Sequence, residues 1–148
     1  MNKSIGEIQL RDMKSIGRVE KFIEEVCDYY NIGDEYFANV MLGISEAVRL
    51  MMERRTSAHD DVHIEGVKTG KGIKFIIRTG QKGENAELDA LEHALEQEKL
   101  TRQLFIIKSL ADDLKVMRHG RKLEINYYIT TLNAEKSLYR VKQLKERL

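Results

Sequence analysis

The spacing of apolar residues predicts two helices in the first third of the chain. After Ser15, apolar residues recur every three or four positions until an Asn-Ile-Gly stop at 31–33, which is the period of one helix face. Ser15 is a residue type that caps helices, so we expect the first helix to begin there. A second helix begins near Asp34, and its apolar stripe continues for about four turns. The stripe residues are Ile16, Val19, Phe22, Ile23, Val26 and Tyr30 in the first helix, and Phe37, Val40, Met41, Ile44, Val48 and Met51 in the second.

Alternation between apolar and polar residues predicts the strands. One short strand is expected at residues 7–10. Residues 62–67 and 73–78 alternate on either side of a glycine-rich turn at 69–72, a pattern typical of a β-hairpin. A loop follows at 79–87. A second hairpin is predicted within residues 115–130, with its turn at His119 and Gly120.

Helical spacing returns in three later stretches. The first covers residues 88–100, the second covers 101–114, and the third is an amphipathic helix from about Asn133, a possible cap, to the last residue. We expect each stretch to bury one apolar face. The apolar residues are Leu88, Leu91, Leu95 and Leu100 in the first stretch, Leu104, Ile107, Leu110, Ala111 and Leu114 in the second, and Leu138, Val141, Leu144 and Leu148 in the third.

The order of these elements predicts the fold class. Helices and antiparallel strands are segregated along the chain, without the regular strand–helix–strand alternation of a parallel sheet. We therefore expect an α+β two-layer sandwich, in which a mixed, mostly antiparallel sheet is covered on one face by helices. Residues 1–132 are predicted to form a single domain, and residues 133–148 a C-terminal amphipathic helix.

Composition limits the possible surroundings and partners. The 148 residues are 42% hydrophobic, enough for a core, and the net charge of +1 gives no global reason to expect nucleic acid or an acidic membrane as partner. Cys27, the single cysteine, excludes an intramolecular disulfide and fits a reducing compartment. No apolar run approaches the roughly 20 residues that span a bilayer, and the first residues lack the apolar core of a signal peptide. A cytoplasmic protein is the expectation.

Three features that suggest chemistry have plainer interpretations. His59 and His63 are four residues apart, but they lie in a connector that enters a strand, where this spacing does not bring side chains together, so no metal site is predicted. Cys27 lies on the apolar stripe of the first helix and is expected to be a buried thiol. Basic residues at 117–122 and in the last helix lack an aromatic platform, so we expect a solvated helix face and no nucleic-acid binding. Those of the last helix are Lys136, Arg140, Lys142, Lys145 and Arg147, interleaved with Glu135 and Glu146.

Two stretches carry a resemblance to a known family. Residues 38–48, ANVMLGISEAV, and residues 104–116, LFIIKSLADDLKV, together with the order of elements, resemble the GHKL ATPase superfamily. Within that superfamily the chain is most similar to the single-domain anti-sigma-factor serine kinases, over residues 8–129. The resemblance implies a histidine-kinase-like ATPase fold and a homodimer. It also implies that the partners are a sigma factor and a small antagonist protein, which such kinases phosphorylate on serine.

The first nucleotide motif of that family is altered on the second helix. The family places a Glu and an Asn four residues apart, the Glu as general base and the Asn as a Mg²⁺ ligand. Here Glu46 matches the Glu, but Leu50 stands at the Asn position and has no ligand atom. Arg54 and Arg55 occupy positions that are commonly His-Gly in the family.

The other two motifs are altered as well. At the adenine-binding Asp the family pattern gives Arg78, whose guanidinium donates hydrogen bonds and cannot accept them. Gly80 is retained in that motif, and Gly83 matches only after a shift of one residue. In the phosphate-binding loop Thr101 and Gln103 replace two glycines, while Leu104 remains. The positions that match the ATP pocket of the family, most of them altered, are therefore Leu50, Arg54, Arg78, Gly80, Gly83, Thr101 and Leu104.

Three hypotheses follow. The first is an anti-sigma-factor-like regulator that acts by protein–protein binding, with ATP binding lost or weak and no resident cofactor or metal. Glu46 is then a solvated helix acid, and Leu50 packs under residues 79–95. The second is an active ATP-dependent serine kinase that uses Glu46, with ATP and Mg²⁺ held in part by Glu84 or Asn85. The third retains only the fold and places a different small molecule in the pocket.

Overall fold

A computed structural model describes residues 2–32, 34–55, 60–79, 101–118, 120–128 and 134–148. Within these ranges the chain forms five strands and four helices. The strands are β1 (Lys3–Leu10), β2 (Val62–Lys68), β3 (Gly72–Thr79), β4 (Asp113–Met117) and β5 (Lys122–Tyr128). The helices are α1 (Ile16–Tyr29), α2 (Asp34–Arg54), α3 (Arg102–Leu110) and α4 (Ala134–Arg147). The helix predicted at 88–100 lies outside the described residues, as do His119 and the proposed cap Asn133.

The strands form one sheet in the order β1-β2-β3-β5-β4. All four ladders between the described strands are antiparallel. Both predicted hairpins are present, β2 with β3 and β4 with β5, and helices pack against the sheet. The prediction of an α+β sandwich with a C-terminal helix is therefore confirmed.

The register gives the sheet one apolar face and one charged face. One row across all five strands is entirely aliphatic and packs against the helices: Ile8, Ile64, Ile77, Leu123 and Val116. Side chains of the neighbouring rows point the other way, because successive residues of a strand face opposite sides. On that charged face Arg78 Nη2 lies 2.9 Å from Glu7 Oε1. Lys74 and Lys122 lie 3.9 and 3.5 Å from the Glu124 carboxylate.

Helix α2 approaches the sheet closely because it has a glycine at the point of contact. A Cβ atom on Gly43 would lie 2.6 Å from the hydroxyl oxygen of Tyr127, a fully buried residue of β5. The ring of Tyr127 packs edge-on against Phe75, with centroids 6.0 Å apart. Any side chain at position 43 would displace this pair.

The first helix begins differently from its prediction. Ser15 occupies the N-cap position of α1, but its side chain makes no capping hydrogen bond. A short 3₁₀ turn, Met13–Ser15, precedes the helix, and Asp12 caps that turn by accepting a hydrogen bond from the backbone amide of Lys14. The capping side chain therefore lies three residues earlier than the sequence pattern indicates.

The predicted helix at 101–114 is too long. Helix α3 ends at Leu110, Ala111 is extended, and Leu114 lies in β4. The side chains of Asn39 and Arg140 donate to the carbonyl oxygen of Leu110, which the helix leaves without a partner. The spacing was misleading because Leu114 belongs both to the helical series and to the alternation that continues through β4.

The C-terminal helix buries only part of the apolar face predicted for it. Leu144 packs against Ile106 and Leu110 of α3 in a small cluster separate from the main core, and Val141 packs against that cluster. Leu138 and Leu148, however, are 70% and 58% exposed. The side turned toward the protein also carries Ser137 and Arg140, because a buried ion pair anchors the helix.

Candidate functional site

The C-terminal half of α2 and the N-terminus of α3 bring several predicted site residues close together. Gln103 Nε2 of α3 donates to Glu53 Oε2 of α2 over 3.3 Å, so the two helix ends are in contact. Thr101 is the N-cap of α3, and its hydroxyl accepts a hydrogen bond from the Leu104 amide at 3.2 Å. At this helix start the threonine side chain therefore satisfies an amide that a phosphate would otherwise bind.

Glu46 and Leu50 lie one turn apart on α2 in different environments. Leu50 is fully buried in the main core, as are its neighbours Ala47 and Met51. Glu46 is half-buried, and no hydrogen bond or ion pair joins it to another residue that the structure describes. The position to which the family resemblance assigns a metal ligand therefore lies in the hydrophobic core. Residues 80–95, which were expected to cover Leu50, are not described.

Arg78 and Thr79 point to opposite faces of the sheet. Arg78 is on the charged face and pairs with Glu7, whereas Thr79 is buried on the face that the helices cover. The Thr79 hydroxyl is enclosed and has no hydrogen-bond partner within the described residues. The burial of Thr79 could have been predicted from the sequence, because Phe75, Ile77 and Thr79 lie two residues apart along β3 and therefore share one face.

Two of the remaining predicted pocket positions, Leu104 and Arg54, lie within the described residues. Leu104 is part of the main core. Arg54 is half-buried in the last turn of α2, and the next residue, Arg55, donates to the backbone oxygens of Arg11 and Asp60 at 2.5 and 3.0 Å. Arg55 therefore links the backbone just after β1 to the backbone just before β2. Gly80 and Gly83 lie outside the described residues.

Candidate nucleophiles and metal ligands occupy ordinary structural positions. Cys27 is buried as expected, and burial raises the pKa of its thiol to about 11, which keeps it protonated at neutral pH. His63 lies on the charged face with Nδ1 3.5 Å from Glu7 Oε1, and His59 is not described. Within the described ranges, His, Cys, Asp and Glu form no group of three or more that could hold a metal ion.

A buried ion pair joins α4 to the corner between α3 and β4. Arg140 Nη2 lies 2.6 Å from Asp112 Oδ1, and both side chains are only 8% exposed. The other Asp112 oxygen accepts the backbone amide of Tyr128 at 2.7 Å, while Arg140 Nη1 donates to the Leu110 carbonyl. The expectation that Arg140 belongs to a solvated basic face is therefore wrong. Nothing in the spacing of charges within one helix reveals a partner 28 residues away.

The outward side of α4 combines apolar and basic residues. Leu138, Tyr139 and Leu148 are among the exposed large hydrophobic residues of the described chain. A surface groove of about 500 Å³ runs along this side and is lined by Leu138, Val141, Lys142, Lys145 and Glu146. Lys142 and Lys145 form no ion pair with any described residue. The family resemblance does not account for this groove.

Comparisons with known proteins do not identify a family. A scan against protein-family models gives no match, and a search of curated proteins gives no significant match. Among the helices of the described ranges, none has both the length and the hydrophobicity needed to span a bilayer.

Proposed function

We propose that this protein is an anti-sigma-factor-like regulator with a histidine-kinase-like ATPase fold that acts by binding protein partners, with ATP binding lost or weak. The observation that carries the proposal is the full burial of Leu50 in the main core. In the family that the sequence resembles, this position holds a Mg²⁺ ligand. Here a leucine side chain in the hydrophobic core provides no ligand atom, so it cannot hold a cation against the phosphates of a nucleotide.

The N-terminus of α3 supports the same proposal. A phosphate site at a helix start needs free backbone amides and close backbone approach, which glycines permit. Thr101 has a side chain at this point, and its hydroxyl already accepts from the Leu104 amide. A phosphate would have to displace this cap, which contributes about 1 kcal/mol to the helix.

Partner binding can persist when a nucleotide pocket is lost. A small-molecule site depends on a few precisely placed polar groups, whereas a protein interface distributes its contacts over 20 to 30 residues per side, on the order of 800 Å². The proposal therefore retains a homodimer, a sigma factor or small antagonist protein as partner, and a cytoplasmic location. The active serine kinase remains the alternative, with Glu46 as its general base.

Calorimetric titration of the purified protein with ATP and Mg²⁺, and then with ADP, separates the two functions. We expect no binding heat at protein concentrations that would reveal a millimolar Kd. We also expect the tagged protein to capture a sigma factor or a small antagonist protein by cross-linking from an extract of its own cells. Binding of ATP that depends on Mg²⁺ would overturn the proposal, and phosphotransfer from ATP to the captured protein would establish the kinase.

A Leu50→Asn variant tests the reasoning at the decisive position. Because Leu50 is fully buried, the amide would lose core packing and require hydrogen bonds that the core does not offer. We expect the free energy of unfolding to fall by about 2–5 kcal/mol, with no gain of nucleotide binding. Leu50→Met, which conserves volume, serves as the matched control and should change stability by less than about 1.5 kcal/mol. A Leu50→Asn protein that binds ATP would show that a nucleotide pocket has survived around this position.

A further inference from the structure

The outward face of α4 is not explained by the packing of the domain. Leu144 and Arg140 already hold the helix to the protein from the opposite side, yet Leu138 remains 70% exposed. A leucine this exposed gives no stability to its own chain, and neighbouring exposed apolar residues mark interaction sites more often than single ones do. Tyr139, the next residue, is 55% exposed, and the half-buried Val141, which also packs against the cluster of Ile106, Leu110 and Leu144, borders the groove.

The shape of the surface fits a helix as its occupant. Leu138 and Lys142 are four residues apart, as are Val141 and Lys145, so the two pairs form neighbouring rows that make a ridge along α4 with the groove beside it. A second helix packs against such a ridge by placing its own apolar stripe in the groove.

The charges on this face specify the partner further. Two of the five residues that line the groove are lysines without an ion-pair partner among the described residues, and only Glu146 has the opposite charge. A binding helix that carries carboxylates beside its apolar stripe would pair with these cations, whereas a basic helix would be repelled.

We propose that the outward face of α4 is a docking site for an acidic amphipathic helix of a partner protein. The inference rests on the proposed function and adds to it the surface used and the chemistry of the partner segment. A second copy of α4 is a poorer occupant, because antiparallel pairing of two such faces would bring Lys142 and Lys145 close to the same lysines of the other copy.

Binding of designed peptides to the full chain tests this site directly. The probe is a stapled helical peptide of about 15 residues with leucine every three or four positions and glutamate on both flanks, and its control has lysine in place of every glutamate. We expect the acidic peptide to bind at least about tenfold more tightly than the basic one, and Leu138→Glu to weaken it by about tenfold or more. Lys142→Glu combined with Lys145→Glu should reverse the preference between the peptides. Tyr29→Glu and Lys21→Glu, on the exposed side of α1, are the matched controls and should change nothing.

Two outcomes would overturn the docking site. One is equal binding of the acidic and basic peptides, or acidic-peptide binding that Leu138→Glu leaves unchanged. The other is a concentration-dependent dimer, seen by sedimentation equilibrium, that Leu138→Glu abolishes, because the face would then belong to a second copy. Partner capture by the Leu138→Glu protein distinguishes failure of the docking site from failure of the proposed function. If a sigma factor or antagonist still binds the Leu138→Glu protein, the function stands and the docking site does not.

Discussion

Replacing Arg140 with methionine would test how α4 is held to the rest of the protein. Methionine keeps much of the aliphatic length of arginine but removes the charge and the donors. The Asp112 carboxylate, 8% exposed in the parent, would then lose its contact at 2.6 Å and retain its hydrogen bond from the Tyr128 amide. The variant thus removes the positive charge of the buried pair, together with the hydrogen bond that Arg140 donates to the Leu110 carbonyl.

The expected loss of stability follows from the burial of the pair. Opposite charges about 4 Å apart attract by about 4 kcal/mol at the effective dielectric constant of a partly buried site. Removing one partner of a buried pair typically costs about 3–5 kcal/mol, against at most about 1 kcal/mol for an exposed pair. We therefore expect Arg140→Met to lower the free energy of unfolding by about 3–5 kcal/mol. In a chain of this size the Tm should fall by about 6–20 °C.

Urea denaturation followed by circular dichroism measures this change, and hydrogen exchange of the α4 amides shows whether the helix detaches before the domain unfolds.

Asp112→Asn removes the opposite charge, and its side-chain oxygen can still accept from the Tyr128 amide. The double variant should therefore lose less stability than the sum of the two single variants, with a coupling of roughly 1–3 kcal/mol. Lys142→Met, on the exposed side of the same helix, is the control and should lie within about 0.5 kcal/mol of the parent. A loss below about 1 kcal/mol for Arg140→Met would refute the buried-anchor reasoning.

Three further changes test the core, the cysteine and the charged face. Gly43→Ala should destabilise the protein by about 1–3 kcal/mol, although alanine is the better helix former, because its Cβ would lie 2.6 Å from the Tyr127 hydroxyl. Tyr127→Phe should remove most of that loss in urea denaturation, and a loss that persists in the double variant would contradict the clash. Burial raises the pKa of Cys27 to about 11, above its ordinary 9.0, so the folded state retains this proton longer than the unfolded state. The contribution of the protonated thiol to stability is complete below pH 9.0 and is lost as pH rises toward 11. Between these pH values, the free energy of unfolding should therefore fall less in Cys27→Ala than in the parent. Equal slopes in the two proteins would count against it. Arg78→Ala should change stability by less than about 1 kcal/mol and leave partner capture unchanged, since the Arg78–Glu7 pair is partly exposed. A larger loss, or loss of the captured partner, would assign Arg78 more than a surface role.

The sequence alone determined the element types and the fold class. Apolar spacing identified α1, α2 and both hairpins because each has a long, regular pattern with one buried face. It also placed Cys27 in the core, since the thiol falls on the buried stripe of α1. The spacing of apolar residues did not predict the bounds of the short elements correctly. The end of α3 depended on which side chains reach the Leu110 carbonyl, and those come from Asn39 and Arg140, far away in the chain.

Only the tertiary structure decided which charged side chains are buried and which apolar ones are not. Arg140 and Lys142 have similar neighbours in sequence, yet one lies in a buried pair and the other beside an exposed groove, because Asp112 stands opposite only the first. Arg78 and Thr79 are likewise adjacent, but the pleat of β3 directs them to opposite faces, so only the threonine lies on the helix-covered side. The spacing of apolar residues in a sequence shows whether a segment is a helix or a strand and which face it buries. It does not show which distant segment packs against that face, because contacts between distant segments leave no periodic pattern in the sequence.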